Sequence, residues 1–152
     1  MSLAVDVTAE GVRVPLSRDR VAELVRGVLR AERVRDALLS FTFLAPAAIA
    51  RLNREHLGHR GPTDVITFAM GAGAPGVPGV PVVADVYICP EIVRENARDG
   101  GVGVREELAR VVIHGTLHAL GHEHPEDEGR TGSPMWRRQE ALLRRLYTAA
   151  RA

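Results

Sequence analysis

The stretch IHGTLHALGHEH, residues 113–124, holds three histidines whose spacing organises the rest of the chain. Residues four apart lie one turn above each other on the same face of a helix, so His114 and His118 can offer two imidazole nitrogens to one ion. Gly121 can adopt a left-handed conformation without a Cβ penalty, end the helix and bring His124 back under the other two. His122 is a poorer ligand, because eight residues of helical rise would carry it about 12 Å from His114. Three imidazoles with a fourth position open form the layout of a catalytic zinc site, so His114, His118 and His124 are the expected ligands of one Zn2+ per chain. A closed structural site lacks an obvious fourth ligand: Cys89 is the sole cysteine and belongs to another segment.

Outward from this motif, residues from about Val104 to Leu120 read as one largely buried helix, with Val111, Val112, Ile113, Leu117 and Leu120 as its apolar positions. Upstream, Leu3 to Val7 and Val12 to Val14 read as one or two strands around Glu10-Gly11. Ser17 is a plausible N-cap for a helix whose Val21, Leu24, Val25, Val28 and Leu29 recur at three-and-four spacing. Leu38 to Leu44 reads as a strand, and a helix opened by Pro46 is expected to run to about Asn53. Val65 to Met70 and Val82 to Cys89 supply two more strands, joined by the Gly/Pro-rich residues 71–81, which read as a flexible hairpin connection. A helix is expected from Glu91 to about Arg98, a polar loop from Pro125 to Pro134, and a last helix from near Met135 to a frayed Ala/Arg end.

This order predicts one α+β domain over residues 1–152: a mixed sheet of about four strands covered by about five helices, with the metal site on a buried helix and the turn after it. A length of 152 residues suits a single core, and 45% hydrophobic with 26% charged residues is ordinary globular composition. No apolar run is long enough to cross a membrane, and the N-terminal residues lack the basic and apolar regions of a secretory signal, so a cytoplasmic location is expected. The net charge of +1 makes no global demand for a polyanionic partner. All 20 basic residues are arginine, which fits a GC-rich coding sequence as readily as phosphate binding.

The motif His114-Gly-Thr-Leu-His118-Ala-Leu-Gly-His-Glu-His124 closely resembles the H-G-x-L-H-L-x-G-Y-D-H signature of the YbeY family, bacterial zinc-dependent endoribonucleases of ribosomal RNA maturation. Leu52-Asn53 followed by TDVITF (63–68) resembles that family's L-N and T-D-V-L-S-F blocks, and ADVYICPE (84–91) its G-D-I-x-I-x-P-E block. Met135 with Gln139-Glu140 matches its closing helix, so the resemblance runs over about residues 50 to 146 in order. It implies a metal-dependent, single-strand-specific endoribonuclease that acts on ribosomal RNA and the small ribosomal subunit, in 3′-end maturation and subunit quality control. Ala84 replaces a glycine, and His122-Glu123 replaces Tyr-Asp. Leu57 stands where many members have an arginine, which makes nearby Arg60 the candidate RNA-binding residue.

An ion with an open position activates water and polarises a phosphoryl oxygen, chemistry suited to phosphodiester hydrolysis. The motif supplies no general base, because position 115 is glycine where zinc proteases of the H-E-x-x-H type have glutamate. Asp85 and Glu123 are the candidate catalytic carboxylates. Asp85 can equally be a structural residue, and Glu123 an orienter of a ligand histidine. Two alternatives remain: a ribosome-assembly factor whose zinc is mainly structural, and a zinc peptidase, since H-x-x-x-H-x-x-G-x-x-H is also metzincin ligand spacing.

Overall fold

The computed structural model describes residues 2–70, 80–126 and 128–147. Ten elements follow in chain order. They are β1 (Leu3–Ala9), α1 (Arg18–Ala31), β2 (Ala37–Phe43), α2 (Pro46–Leu57), β3 (Val65–Met70), β4 (Val82–Ile88), α3 (Pro90–Gly100), α4 (Val104–Ala119), a short 3-10 turn (Glu128–Arg130) and α5 (Pro134–Leu146). The sheet order is β1-β2-β4-β3. β1 and β4 flank β2 in parallel, whereas β3 runs antiparallel on β4 and leaves its outer side as a sheet edge. The expected mixed four-stranded sheet and five α-helices are present among the described residues.

α4 is the central helix. Every residue from Val111 to Leu117 is buried, because the helix packs on β3 and β4 along one side and against α1, α3 and α5 along the others. A helix apolar on all sides is stable only when enclosed in this way, with each fully buried aliphatic side chain contributing about 1.5–3 kcal/mol. Gly115 sets how closely it lies on the sheet: a Cβ there would stand 2.8 Å from Cγ1 of Val86 and 3.5 Å from Cγ2 of Val65. Sequence therefore dictates both a helix and its depth.

Alternation along the strands divides the sheet into two faces. Leu39, Phe41, Phe43, Ala84, Val86 and Ile88 join the main core beneath α1 and α4. Ile66, Phe68 and Tyr87, on the opposite face, pack with Leu44, Ile49, Leu52 and Cys89 in a smaller cluster that holds α2.

Several boundaries differ from the sequence reading, among them α3, which runs over Pro90–Gly100 where Glu91 to about Arg98 is expected. Val12 and Val14 form no strand; they pack against the core from an irregular segment, and β1 pairs only with β2. α2 continues past Asn53 to Leu57, since Arg54, Glu55 and His56 tolerate helix and the stop is Gly58 at φ 68°. α5 starts at Pro134, one residue before Met135, with Ser133 as N-cap accepting from the Trp136 N–H. Residues 71–79, most of the expected hairpin connection, and the Ala/Arg end after Tyr147 lie outside the described residues.

Candidate metal centre

α4 delivers His114 and His118 from consecutive turns, and Gly121 at φ 95° reverses the chain after it. The reversal is fixed by the His122 N–H donating to the Leu117 carbonyl at 3.0 Å and the Gly121 N–H to that of His118 at 3.0 Å. His124 is thereby returned to the other two. Ring centroids stand 4.5 Å apart for His114–His118, 5.0 Å for His114–His124 and 4.9 Å for His118–His124. One nitrogen from each ring lies within 4.8 Å of the others, a group that can hold a metal ion.

The remaining ring nitrogens decide which atoms face the centre. Nδ1 of His118 lies 2.9 Å from the His122 carbonyl, and Nδ1 of His124 lies 2.8 Å from the Pro125 carbonyl. A carbonyl only accepts, so both Nδ1 atoms carry the proton and both Nε2 lone pairs are free. Nδ1 of His114 lies 2.6 Å from Oε1 of Gln139, and the orientation of that amide is set by its Nε2, which donates to Glu140 at 3.1 Å. Glu140 in turn receives Nε and Nη2 of Arg110 at 2.9 and 3.2 Å, and Arg110 also binds Glu106 and Glu107 on its own helix. A chain of polar contacts from α4 to α5 thus selects the tautomer of His114, the kind of outer contact that orients histidines around bound metals.

Burial keeps His114 and His118 neutral. It drives His114 down from the ordinary 6.5 to about 3, with Gln139 opposing and His118, Arg130 and His124 adding to the depression. His118 is lowered too, first by burial, with its bond to the His122 carbonyl opposing and the charges of His124 and Arg130 reinforcing. Neutral imidazole is the ligating form, so protons do not compete for these two rings at neutral pH.

His122 points elsewhere. Its Nε2 meets Oε1 of Glu32 at 2.7 Å, while Oε2 of Glu32 receives Nε of Arg138 at 2.8 Å, tying the turn after α4 to α1 and α5.

The histidines open into a cleft of about 670 Å3, lined by Thr63 to Thr67 and Ala69 at β3 and the turn before it, and by Gly121 to His124, Glu126 and Arg130 after α4. Glu123 lies in this wall, and its charge acts on His118. Asp85 does not. It projects from the face of β4 opposite Val86, hence away from α4, and accepts a 2.6 Å bond from Ser40 on β2. Arg60 is exposed in the loop after α2 and is not part of the cleft lining, whereas Leu57 is.

Asp64, Glu126, Arg130 and Gln139 were not singled out as site residues from sequence. Gln139 stood in the closing-helix match, but nothing in linear spacing marks a contact between positions 114 and 139.

The family description "Endoribonuclease YbeY" matches residues 6–147. The chain belongs to the YbeY family. Among curated members, an Endoribonuclease YbeY of Bacillus licheniformis is 36% identical over 155 aligned positions, covering 95% of this chain and 96% of that one. Its counterpart in Geobacter sulfurreducens is 32% identical over 145, covering 95% and 94%. The solution structure of a Thermotoga maritima protein shares the fold with a TM-score of 0.64 at 26% identity, over 97% of this chain and 91% of that one. Within the YbeY family, then, this chain combines the histidine triad with Leu57 and an arginine, Arg130, in the lining of the same cleft.

Proposed function

We propose that this chain is a zinc-dependent endoribonuclease that cleaves single-stranded RNA during maturation of small-subunit ribosomal RNA, in the cytoplasm, as a single domain over its whole length. The observation that carries the reading is the meeting of three Nε2 lone pairs on the wall of an open cleft, each ring held by an oxygen acceptor on its far side. The Endoribonuclease YbeY names of its relatives supply the substrate class. No helix among the described residues is long and apolar enough to cross a membrane.

His114, His118 and His124 would hold the ion, and all-nitrogen ligation with room for further ligands suits zinc. When bound, zinc supplies Lewis acidity toward a phosphoryl oxygen and toward water. The chain's own groups do the rest. Arg130 offers parallel N–H donors to phosphate oxygens, and the outer edge of β3, unpaired among the described residues, offers backbone groups to the strand lying in the cleft. Glu123 is the carboxylate we assign to accept the proton of the attacking water, since it lines the cleft and its charge reaches His118. Asp85, bonded to Ser40 on the other face, has a structural role between β2 and β4. Arg60, exposed after α2 and outside the cleft lining, is left to contact RNA beyond the cleft.

A peptidase is disfavoured by packing as well as by sequence. The glutamate of H-E-x-x-H enzymes would stand at position 115, where even a Cβ meets Val86 at 2.8 Å. The test is to incubate zinc-loaded protein and its His114→Ala variant with small-subunit precursor RNA and with casein, mapping any cuts. Metal-dependent cuts in RNA alone support the proposal. Tight RNA binding without cutting moves the reading to an assembly factor with structural zinc, and casein cleavage lost in the variant moves it to a peptidase.

A further inference from the structure

The cleft does not end at His114. A second cavity, of about 290 Å3, opens beside that ring and shares Asp64, His114 and Arg130 with the larger one. Beyond these shared residues it is lined by Trp136, Asn96 and Gln139, among others. Ligand pockets usually span about 300–1,000 Å3, so the main cleft has room for a stretch of backbone and the second for little more than one planar group.

We infer that this second cavity is a nucleobase subsite, in which the base next to the scissile phosphate lies against Trp136 while Arg130 holds a phosphate at the junction of the two cavities. Three observations carry it. Trp136 is the only tryptophan of the chain, and it sits half-buried on a cavity wall while its neighbour Met135 fills the core. Its backbone N–H is used by the Ser133 cap, which fixes its place at the first turn of α5. Asn96 stands exposed on α3 across from it, and among the described residues its side-chain amide has no hydrogen-bond partner, so a donor and an acceptor are available to a base edge.

Arg130 completes the arrangement. It lines both cavities, and its guanidinium has no acidic partner among the described residues. It also lies close enough to His114 and His118 for its charge to oppose their protonation. Leu57 lines the same cleft without a charge, so among the described lining residues Arg130 is the arginine available to a phosphate. Stacking on an aromatic ring tolerates any base, which fits a nuclease that reads single-strandedness rather than sequence.

This inference rests on the nuclease reading of the cleft, and the experiment separates the two. Because Trp136 is the sole indole, fluorescence excited at the red edge of its absorption, where the two tyrosines do not absorb, reports this cavity. Titration of the chelator-treated chain with single-stranded oligouridylate is expected to quench that fluorescence saturably. Trp136→Leu should bind the same oligomer about 5- to 150-fold more weakly, the range of one lost base stack, with Trp136→Phe recovering most of the affinity. Arg130→Gln should lower the salt slope of log Kd by about 0.7, the value of one phosphate contact on a single strand, and Arg60→Ala should lower it less. In the metal-loaded chain both cavity variants should raise KM more than they lower kcat and keep their zinc. RNA cleavage by a parent whose Trp136 fluorescence never responds, with Trp136→Leu binding as the parent does, overturns the subsite and leaves the nuclease reading standing. A parent that neither binds nor cuts RNA overturns both.

Discussion

Gln139→Leu isolates the contribution of the polar chain behind the histidines. Gln139 is 2% exposed and its Oε1 is the acceptor for Nδ1 of His114, itself 7% exposed. Leucine fills similar volume but accepts nothing. The buried His114 then either keeps its proton on Nδ1 unsatisfied, at a cost of about 1–3 kcal/mol, or moves it to Nε2 and loses the lone pair that faces the centre. Both routes weaken metal binding. Loss of such an outer partner costs about 10- to 100-fold in metal affinity, equivalent to about 1.4–2.8 kcal/mol, which agrees with the desolvation figure. Competition with a chromophoric chelator measures the zinc Kd, and melting with and without excess chelator separates metal affinity from fold stability. The expected result is a 10- to 100-fold higher Kd with a smaller change in the metal-free melt. A Kd within twofold of the parent would refute the assignment of Gln139 as the residue that sets the His114 tautomer.

Single replacement of His114, His118 or His124 by alanine should empty the site as read by zinc content, while His122→Ala should retain zinc and melt at lower temperature through loss of the Glu32 contact. Gly115→Ala places a methyl 2.8 Å from the fully buried, β-branched Val86; overpacking of about 1–3 kcal/mol outweighs the gain of about 1 kcal/mol in helix propensity, so denaturant unfolding should show a net loss. In metal-free protein, His114 titrates near 3 when folded and near 6.5 when unfolded, so the unfolded chain binds more protons between those values. Stability should therefore be full above about pH 6.5 and fall as pH drops toward 3, at up to about 1.4 kcal/mol per pH unit from this residue, with His118 adding in the same direction. A flat dependence across that window would show that His114 is not buried as a neutral ring.

The histidine triad was legible in sequence because helical periodicity and a glycine turn are local: positions 114, 118 and 124 meet through one helix and one reversal. The sheet was legible for a similar reason, as β2, β3 and β4 are apolar runs bounded by turn residues. Contacts between distant segments were not. Asp85 lies on a strand that does touch α4, but strand alternation turns its side chain to the other face, and which face it takes depends on the whole register. Arg130 approaches the histidines only because the chain folds back between the end of α4 and the start of α5, and Gln139 reaches His114 only through the packing of α5 on α4. Arg60 was singled out by nearness to Leu57 in sequence, whereas the end of α2 at Gly58 separates the two in space: Leu57 lines the cleft and Arg60 does not.

The most direct measurement is titration of zinc into chelator-stripped protein with cleavage of single-stranded RNA as the readout. Activity should be absent without metal, rise linearly and level off at one equivalent per chain, and be missing at every zinc concentration in His118→Ala. RNA cleavage that survives stripping, or that is equal in parent and His118→Ala, would contradict a metal-dependent nuclease centred on His114, His118 and His124.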